Sequence, residues 1–392
     1  MKIHPYIPLI SLVSAGWLWA DDMTLWRSWM EAANRFDKEG RFTEAGILYG
    51  AALQAAEMSG VAGAPLGQSL NNLAAHYFTC GEYVKAEALY RRALDVWEGA
   101  GTGTQRDLAL TMNNLAALYR AVGRYSEAEP LYEKALRLLE QTSGPSSREV
   151  AGGLNNLAGL YRSQGQYLKA ESAAGRSLEI AEQLDGPDSA TAATSLHTLA
   201  GIYRDLGRYR EAHSMLDRAL RIEERTLGPE HPNLAASLNN LAQIERLQGD
   251  YIEAEPLSRR ALAIWEHRFG PDHPTVAVAL TNLAVLYHER GRESAAERLY
   301  MRALAILGKK LEPDHPDIGI VIQGLADVYG AQQRYRKAEE MQARALRIFE
   351  RTLGPSDPRY RASLETYARL LRQNHRPTEA NEIEARISAV RR

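Results

Sequence analysis

The sequence predicts an all-α protein built as a solenoid of about nine stacked helical hairpins. A short motif recurs at multiples of 42 residues along almost the whole chain, and the apolar residues of each unit follow the spacing of amphipathic helices. The length agrees, because 392 residues exceed what one compact core usually holds. One hairpin cannot bury its apolar face alone, so neighbouring hairpins are expected to share an elongated core.

The repeat is clearest in a five-residue motif of the form Leu-Asn-Asn-Leu-Ala. It occurs at 70–74, 112–116, 154–158 and 238–242, and degenerate copies at 196–200, 280–284, 322–326 and 364–368 keep the same phase. An earlier unit contains Ala33, Gly40 and Tyr49 at matching positions. The repeats are predicted at 26–66, 67–108, 109–150, 151–192, 193–234, 235–276, 277–318, 319–360 and 361–392.

Each unit is predicted to contain two helices and a glycine turn. In the third unit the apolar residues from Met112 to Tyr119 follow i, i+3, i+4, i+7, and Gly123 ends this helix. The loop glycine recurs in most units, where a left-handed backbone is expected. We interpret Ser126 with Glu129 as a capping box that starts the second helix.

Both ends of the chain depart from the repeat. Residues 1–20 contain an apolar run from Tyr6 to Ala20 that is too short to span a bilayer and is typical of a secretory signal peptide. Export to the periplasm or the cell exterior is therefore expected, and the alternatives are a retained membrane anchor or a cytoplasmic protein. At the other end, Pro377, Glu384 and Ser388 replace repeat residues, which predicts a polar terminal cap.

Composition and motifs argue against catalysis. The net charge of −2 provides no basic field for nucleic acid or anionic membranes. The single cysteine, Cys80, excludes an intramolecular disulfide and a four-thiolate zinc site. No phosphate-binding loop, HExxH motif or nucleophile elbow occurs. We therefore expect no enzyme activity, no cofactor, no metal site and no nucleic-acid partner.

Three histidines stand in a recurring acidic-His-Pro pattern that could suggest metal ligands. They are His231, His273 and His315, and 42 residues separate each from the next. Stacking repeats would hold such residues apart, so we interpret each as the capping residue before a proline in the first position of a helix.

The repeat resembles a known family. The pattern Leu-x-Asn-Leu-Ala-x-Leu-Tyr, followed by Gly-x-Tyr-x-Glu-Ala-Glu-x-Leu-Tyr-x-x-Ala-Leu and Gly-Pro-Asp-His-Pro, is similar to the 42-residue tetratricopeptide repeat of kinesin light chain and its bacterial relatives. The resemblance implies a right-handed superhelix whose concave groove holds extended peptides. The signal-like amino terminus and the lack of a heptad region favour an exported bacterial relative over a kinesin subunit.

A polar stripe runs along the first helix of each repeat. At 100° per residue, Asn113, Asn114 and Arg120 lie opposite the apolar arc, and the resemblance implies that this stripe lines the groove. Asparagine amides match a peptide backbone, and a row of arginines suits carboxylates. The candidate peptide-binding residues are Asn71, Asn72, Asn113, Asn114, Arg120, Asn155, Asn156, Arg162, His197, Arg204, Asn239, Asn240, Arg246 and Asn282.

The function predicted is that of a protein-interaction scaffold for a protein or peptide partner, and an acidic partner is one option. Two alternatives concern the stripe itself: the amides only join neighbouring helices, or the arginines are only solvated. The alternative function is a structural or oligomerisation scaffold in cell-envelope assembly.

A carbohydrate- or nucleic-acid-binding array is a further alternative. For nucleic acid, the near-neutral net charge and the lack of rows of aromatic residues in the stripe argue against it.

Overall fold

The protein is a linear array of helical hairpins in a computed structural model that describes residues 19–58, 63–353 and 357–390. These residues form eighteen α-helices and no strand. The first helices of hairpins 1 to 9 are α1 (Trp19–Lys38), α3 (Ala64–Thr79), α5 (Gln105–Ala121), α7 (Arg148–Ser163), α9 (Ala190–Asp205), α11 (Pro232–Gln248), α13 (Pro274–Glu289), α15 (Pro316–Ala331) and α17 (Pro358–Gln373). The second helices are α2 (Phe42–Met58), α4 (Tyr83–Gly99), α6 (Tyr125–Ser143), α8 (Tyr167–Asp185), α10 (Tyr209–Leu227), α12 (Tyr251–Phe269), α14 (Glu293–Lys310), α16 (Tyr335–Thr352) and α18 (Pro377–Val390). The predicted all-α hairpin array is confirmed.

The predicted signal peptide, residues 1–20, lies outside the described residues except for its last two, which begin α1. Within the described part of the chain, no helix combines the length and the apolar character that a membrane span requires.

A left-handed residue reverses the chain inside each hairpin, as predicted. Gly81 and Gly165, for example, have φ of 81° and 73°. Gln333 and His375 take the same conformation in hairpins 8 and 9, with φ of 60° and 59°. A side chain at such a position is strained, so glycine is the residue that fits this turn best.

The predicted capping box of Ser126 and Glu129 is wrong. Helix α6 already begins at Tyr125, and its N-cap, Arg124, makes no capping bond with its side chain. The helix starts two residues after the left-handed Gly123, so Ser126 lies inside the first turn. Arg124 stabilises that turn differently, since its Nε donates to Glu127 Oε1 at 2.6 Å.

The histidine interpretation is confirmed at the starts of α11, α13 and α15. Nδ1 of His231, His273 and His315 accepts a hydrogen bond from the backbone N–H two residues later, at 3.2, 3.2 and 3.1 Å. A proline follows each histidine in the first helical position. In hairpins 4 and 5 Ser147 and Ser189 cap the first helix instead.

The core is a continuous apolar layer between the helices. Small residues such as Ala86 and Ala158 are fully buried and allow the helices to approach closely, while Tyr90, Trp97 and Phe349 fill the wider gaps. At the carboxyl end Glu384 and Ser388 are exposed, and Glu384 pairs with Arg372 at 2.8 Å. The last hairpin therefore presents a polar outer face to water.

The array winds far enough for its two ends to meet edge to edge. His273 Nε2 lies 3.3 Å from Lys38 O, Lys310 Nζ donates to Gly40 O at 3.1 Å, and Arg359 Nη2 donates to Ala121 O at 3.1 Å. The contacts thus connect the loops inside the first three hairpins with residues near the starts of hairpins 7 to 9. One superhelical turn thus takes about five and a half hairpins.

Candidate functional site

The polar stripe lies on the inner side of the superhelix. First helices of successive hairpins contact one another, as α5 contacts α7 and α7 contacts α9, whereas the second helices of successive hairpins do so less. The first helices are therefore closer together and line the concave side. Stripe residues are mostly half-buried, with Asn113 and Asn239 buried and Asn156 exposed.

Several stripe asparagines bond to each other from hairpin to hairpin. Asn114 Nδ2 donates to Asn71 Oδ1 at 3.0 Å, and Asn282 Nδ2 donates to Asn239 Oδ1 at the same distance. Asn71 Nδ2 also donates to Asn72 Oδ1 at 3.2 Å. These amides join neighbouring helices, so part of their hydrogen-bonding capacity is already used by the fold.

The asparagines of hairpins 3 and 4 keep unused acceptors. Asn155 Nδ2 donates to Ser195 Oγ at 3.2 Å, but the buried Oδ1 atoms of Asn113 and Asn155 accept no hydrogen bond from the described residues. A buried acceptor without a donor costs about 1–3 kcal/mol.

His197 occupies the asparagine position in hairpin 5 and is tied to a buried acid. Its Nε2 lies 3.1 Å from Glu223 Oε1 and 3.0 Å from Ser237 Oγ, and Ser237 also donates to Glu223. Ser237 is fully buried, and Glu223 and Ser237 both contact Nε2 of His197. This Ser-His-Glu cluster is therefore not arranged for nucleophilic catalysis. Nδ1 of His197 is buried and has no partner among the described residues.

Two of the four predicted arginines share one carboxylate, and a third, Arg120, is unpaired. Arg162 Nε lies 3.0 Å from Asp205 Oδ2, and Arg204 Nη2 lies 2.8 Å from Asp205 Oδ1. Arg120 forms no ion pair with any described residue, and its buried Nε has no hydrogen-bond partner. Two positive charges along hairpins 3 to 5 are therefore not neutralised.

Burial and neighbouring positive charges both affect the pKa of Arg162. Burial lowers the pKa of Arg162, Asp205 opposes that shift, and the nearby Arg204 and Arg120 lower the pKa further. The mutual influence shows that the three guanidinium groups lie close enough to act as one basic patch. We call Arg120, Arg162 and Arg204 the arginine row.

Two glycines hold the arginine row against the helix surface, a feature that sequence reasoning missed. A Cβ at Gly201 would lie 2.3 Å from Arg162 Nη1, and one at Gly159 would lie 3.6 Å from Arg120 Nη1. Each guanidinium therefore lies across the glycine of the next first helix. The available signal was glycine at 159 and 201, where hairpins 2 and 3 have Ala75 and Ala117.

The remaining basic stripe positions are neutralised. Arg246 pairs with Glu289, and His288 Nδ1 lies 2.7 Å from Glu293 Oε2. In hairpin 8 an acid, Asp327, lies in the stripe, and burial raises its pKa. The basic character of the groove is therefore confined to hairpins 3 to 5.

The described residues contain neither a cluster of metal-binding side chains nor an accessible cysteine. No set of three or more His, Cys, Asp or Glu side chains in it is placed to hold a metal ion. Cys80 is buried, and burial raises its thiol pKa to about 12, which suppresses the reactive thiolate. The chemistry offered by the concave side is hydrogen bonding and charge.

Stacked hairpins with a polar inner stripe define the class of helical-repeat solenoids. The tetratricopeptide repeat family model matches residues 65–141, 149–225, 214–257, 234–309 and 310–392, and the chain belongs to this family. A comparison with curated protein sequences found no match.

Solved structures that are similar to this chain include kinesin-light-chain-like proteins. BtubC (BKLC) from P. vanneervenii is 28% identical over 59% of this chain and 91% of its own, with a TM-score of 0.46. A putative kinesin light chain from P. anserina is 26% identical over 53% and 98%, with a TM-score of 0.43. A Rap protein complexed with competence and sporulation factor is 16% identical over 92% and 99%, with a TM-score of 0.54.

Proposed function

We propose that the protein is a non-enzymatic scaffold that binds an extended acidic segment of a partner protein or peptide along the concave side of hairpins 3 to 5. The tetratricopeptide fold supports a role in protein interaction. The observation that carries the finer proposal is the arginine row, in which Arg162 and Arg204 share the single carboxylate of Asp205 and Arg120 has no ion pair with a described residue.

The unused hydrogen-bonding atoms lie in the same place. Asn113 Oδ1, Asn155 Oδ1 and His197 Nδ1 are buried without partners on α5, α7 and α9, the helices that also carry the arginine row. Each arginine follows the Asn or His of its own helix by seven residues, which is nearly two turns, so both share one face. A peptide laid across these helices would place its carboxylates on the guanidinium groups and bond to the exposed amide of Asn156.

A related fold holds a ligand of its own. The Rap protein structure contains competence and sporulation factor, which is a property of that protein. It supports the proposal only in showing that a solenoid of similar extent can receive a partner.

The proposal is tested by charge reversal on two matched pairs of arginines. The probes are fluorescent oligoglutamate, oligoglutamine and oligolysine peptides of equal length. Arg162→Glu with Arg204→Glu should weaken oligoglutamate binding by at least about tenfold, because the attraction becomes repulsion. Binding to the unaltered protein should also weaken as salt rises, since the groove is open to water.

The control is the same reversal at Arg137 and Arg221, which lie exposed on second helices beside Glu133 and Asp217. This pair should leave binding nearly unchanged, and both variants should retain their helicity and melting temperature. Equal effects from both pairs, or none from either, would contradict the proposal. Symmetric self-association of the protein, together with no binding of any of the peptides in the groove, would favour an oligomerisation scaffold instead.

A further inference from the structure

The edge contact between the two ends of the solenoid repeats three times in register. The loop inside hairpin 1 meets the start of hairpin 7, that of hairpin 2 meets the start of hairpin 8, and that of hairpin 3 meets the start of hairpin 9. Gly40 and Gly123 are buried and Gly81 is half-buried, whereas Gly165, Gly207, Gly249 and Gly291 at the same loop position are exposed. The contact is thus a specific interface inside one chain.

The fit of this interface is close at two histidines. A Cβ on Gly40 would lie 2.9 Å from His273 Cδ2, and one on Gly81 would lie 2.5 Å from His315 Cδ2. A Cβ on Gly165 or Gly291 would meet nothing within 4 Å. The first two glycines therefore serve the interface as well as the turn.

The capping bonds at Nδ1 require the two histidines to be neutral, whereas the bond that Nε2 of His273 donates across the interface does not. Nδ1 of His273 accepts from Thr275 N, so the ring proton is on Nε2, which donates to Lys38 O across the interface. His315 likewise accepts from Asp317 N at Nδ1 and bonds the Thr79 backbone across the interface. A second proton would occupy Nδ1 and abolish the capping bond in both cases.

The surrounding groups also disfavour protonation, most clearly at His273. Burial lowers the pKa of His273, the backbone bond to Lys38 opposes that shift, and the charge of Lys310 lowers the pKa further. Burial also lowers the pKa of His315, while Asp317 on its own helix opposes that shift. Other charged groups at this edge are Glu44 near Lys310, Glu82 and Glu312 around Cys80, and Asp37 beside His76. At hairpin 9 the edge also holds the ion pair of Arg359 with Asp357.

We propose that the edge contact is a latch that holds the superhelix wound at neutral pH and releases when His273 and His315 take up protons. In the released form the two rings are solvated and titrate at about pH 6.5. Because the closed form binds protons less readily, the latch has full strength above about pH 6.5 and weakens as the pH falls below it. The latch does not depend on what the concave groove binds.

The latch is tested by measuring the distance across it in the full chain. Spin labels on Glu39→Cys and Lys309→Cys lie beside Gly40 and Lys310 at exposed positions, and the native Cys80 is buried. Pulsed EPR should show one short distance at about pH 7.5 and a growing long-distance population at about pH 5. Circular dichroism at the same two values should show unchanged helicity.

Matched variants separate the latch from general effects of acid. Gly40→Ala should open the latch already at neutral pH, whereas Gly291→Ala, with the same φ of 68° but an open surrounding, should leave it closed. Replacing both His273 and His315 by asparagine, which keeps a capping oxygen, should remove the pH response. An unchanged distance at low pH, equal opening by both glycine variants, or opening that only accompanies lost helicity would overturn the proposal.

Discussion

The loop inside each hairpin needs one residue in the left-handed conformation. Glycine takes this position in hairpins 1 to 7, for example Gly207 with φ of 71°. Gln333 and His375 take it in hairpins 8 and 9. A residue with a Cβ is less stable there by about 1–2 kcal/mol, whereas glycine costs about 0.5–1 kcal/mol in lost chain entropy.

Gln333→Gly should therefore stabilise the protein by about 0.5–1 kcal/mol, since the relief of backbone strain exceeds the entropy cost. Chemical denaturation would measure this gain. Gln333→Ala, which keeps the Cβ, serves as the control and should bring no gain. A glycine variant that is no more stable than the alanine variant would show that the strain is relieved elsewhere.

Single residues also mark the limits of sequence reasoning. The capping role of His231 followed from the proline after it, because capping is a local interaction. Ser126 was misassigned, since a suitable pair of residue types does not fix where a helix begins. Gly159 and Gly201 passed unnoticed because the guanidinium groups that cover them belong to the preceding hairpin.

At the scale of helices, a glutamate on each of several second helices joins one hairpin to the next. Glu255 on α12 accepts from Tyr287 Oη at 2.9 Å and from Arg290 Nη1 at 2.8 Å, and both donors belong to hairpin 7. Glu87, Glu171, Glu297 and Glu339, at the same repeat position, also bond to side chains of the next hairpin, although the donor to Glu339 is Asn374 instead of a tyrosine. The repeat motif contained this glutamate, but its partners lie up to 37 residues away and required the structure.

One junction has the partners exchanged. His213 occupies the position at which α4, α6, α8, α12, α14 and α16 have glutamate. Glu245 occupies the position at which the neighbouring first helices have tyrosine. The two lie 3.2 Å apart, so an acid and its partner still meet at this junction. Burial raises the pKa of Glu245, in contrast to the lowered values at Glu87 and Glu255.

Glu255→Gln should destabilise the protein by about 1–3 kcal/mol at neutral pH, because charge-assisted hydrogen bonds at a poorly exposed site are lost. Burial alone would raise the pKa of Glu255, but bonds from Tyr287 and Arg259 and the charge of Arg292 outweigh it and lower the pKa. The stabilisation is thus present above the unfolded pKa of about 4.3 and is lost as the pH falls through the folded value.

Urea denaturation between neutral pH and about pH 3 checks this expectation. The difference between the wild type and the variant should shrink as acid protonates Glu255. Glu224→Gln provides the control, since the pair of Glu224 with Arg260 is exposed and should contribute no more than about 1 kcal/mol. A constant difference across the pH range would show that the charge of Glu255 is unimportant.

At the scale of the whole molecule, the winding of the solenoid sets the contact between its ends. A small rotation from one hairpin to the next accumulates until hairpin 1 meets hairpin 7. The sequence showed the repeat but not this rotation, which depends on packing at every junction. Local capping fully explained His273 and His315, so nothing in the sequence indicated a second role across the interface.

The winding predicts unequal protection of loops that are locally alike. The glycine N–H bonds to the carbonyl three residues earlier at 3.0 Å in Gly40, 3.1 Å in Gly81 and 3.0 Å in both Gly165 and Gly207. Of these four loops, only those of Gly40 and Gly81 contact the later hairpins, at His273 and His315. Their amides should exchange with deuterium more slowly by about one order of magnitude, because exchange there also requires the edge contact to open.

Hydrogen exchange followed by mass spectrometry at neutral pH measures this difference, with peptides spanning each of the four loops. Gly81→Ala provides an internal control: a Cβ at this position would lie 2.5 Å from His315 Cδ2, so the variant should lose the protection of the loop around Gly40 as well. Gly165→Ala introduces the same kind of backbone strain without a neighbour, and it should leave that protection intact. Equal exchange in all four loops of the unaltered protein would mean that the ends of the superhelix stay apart in solution.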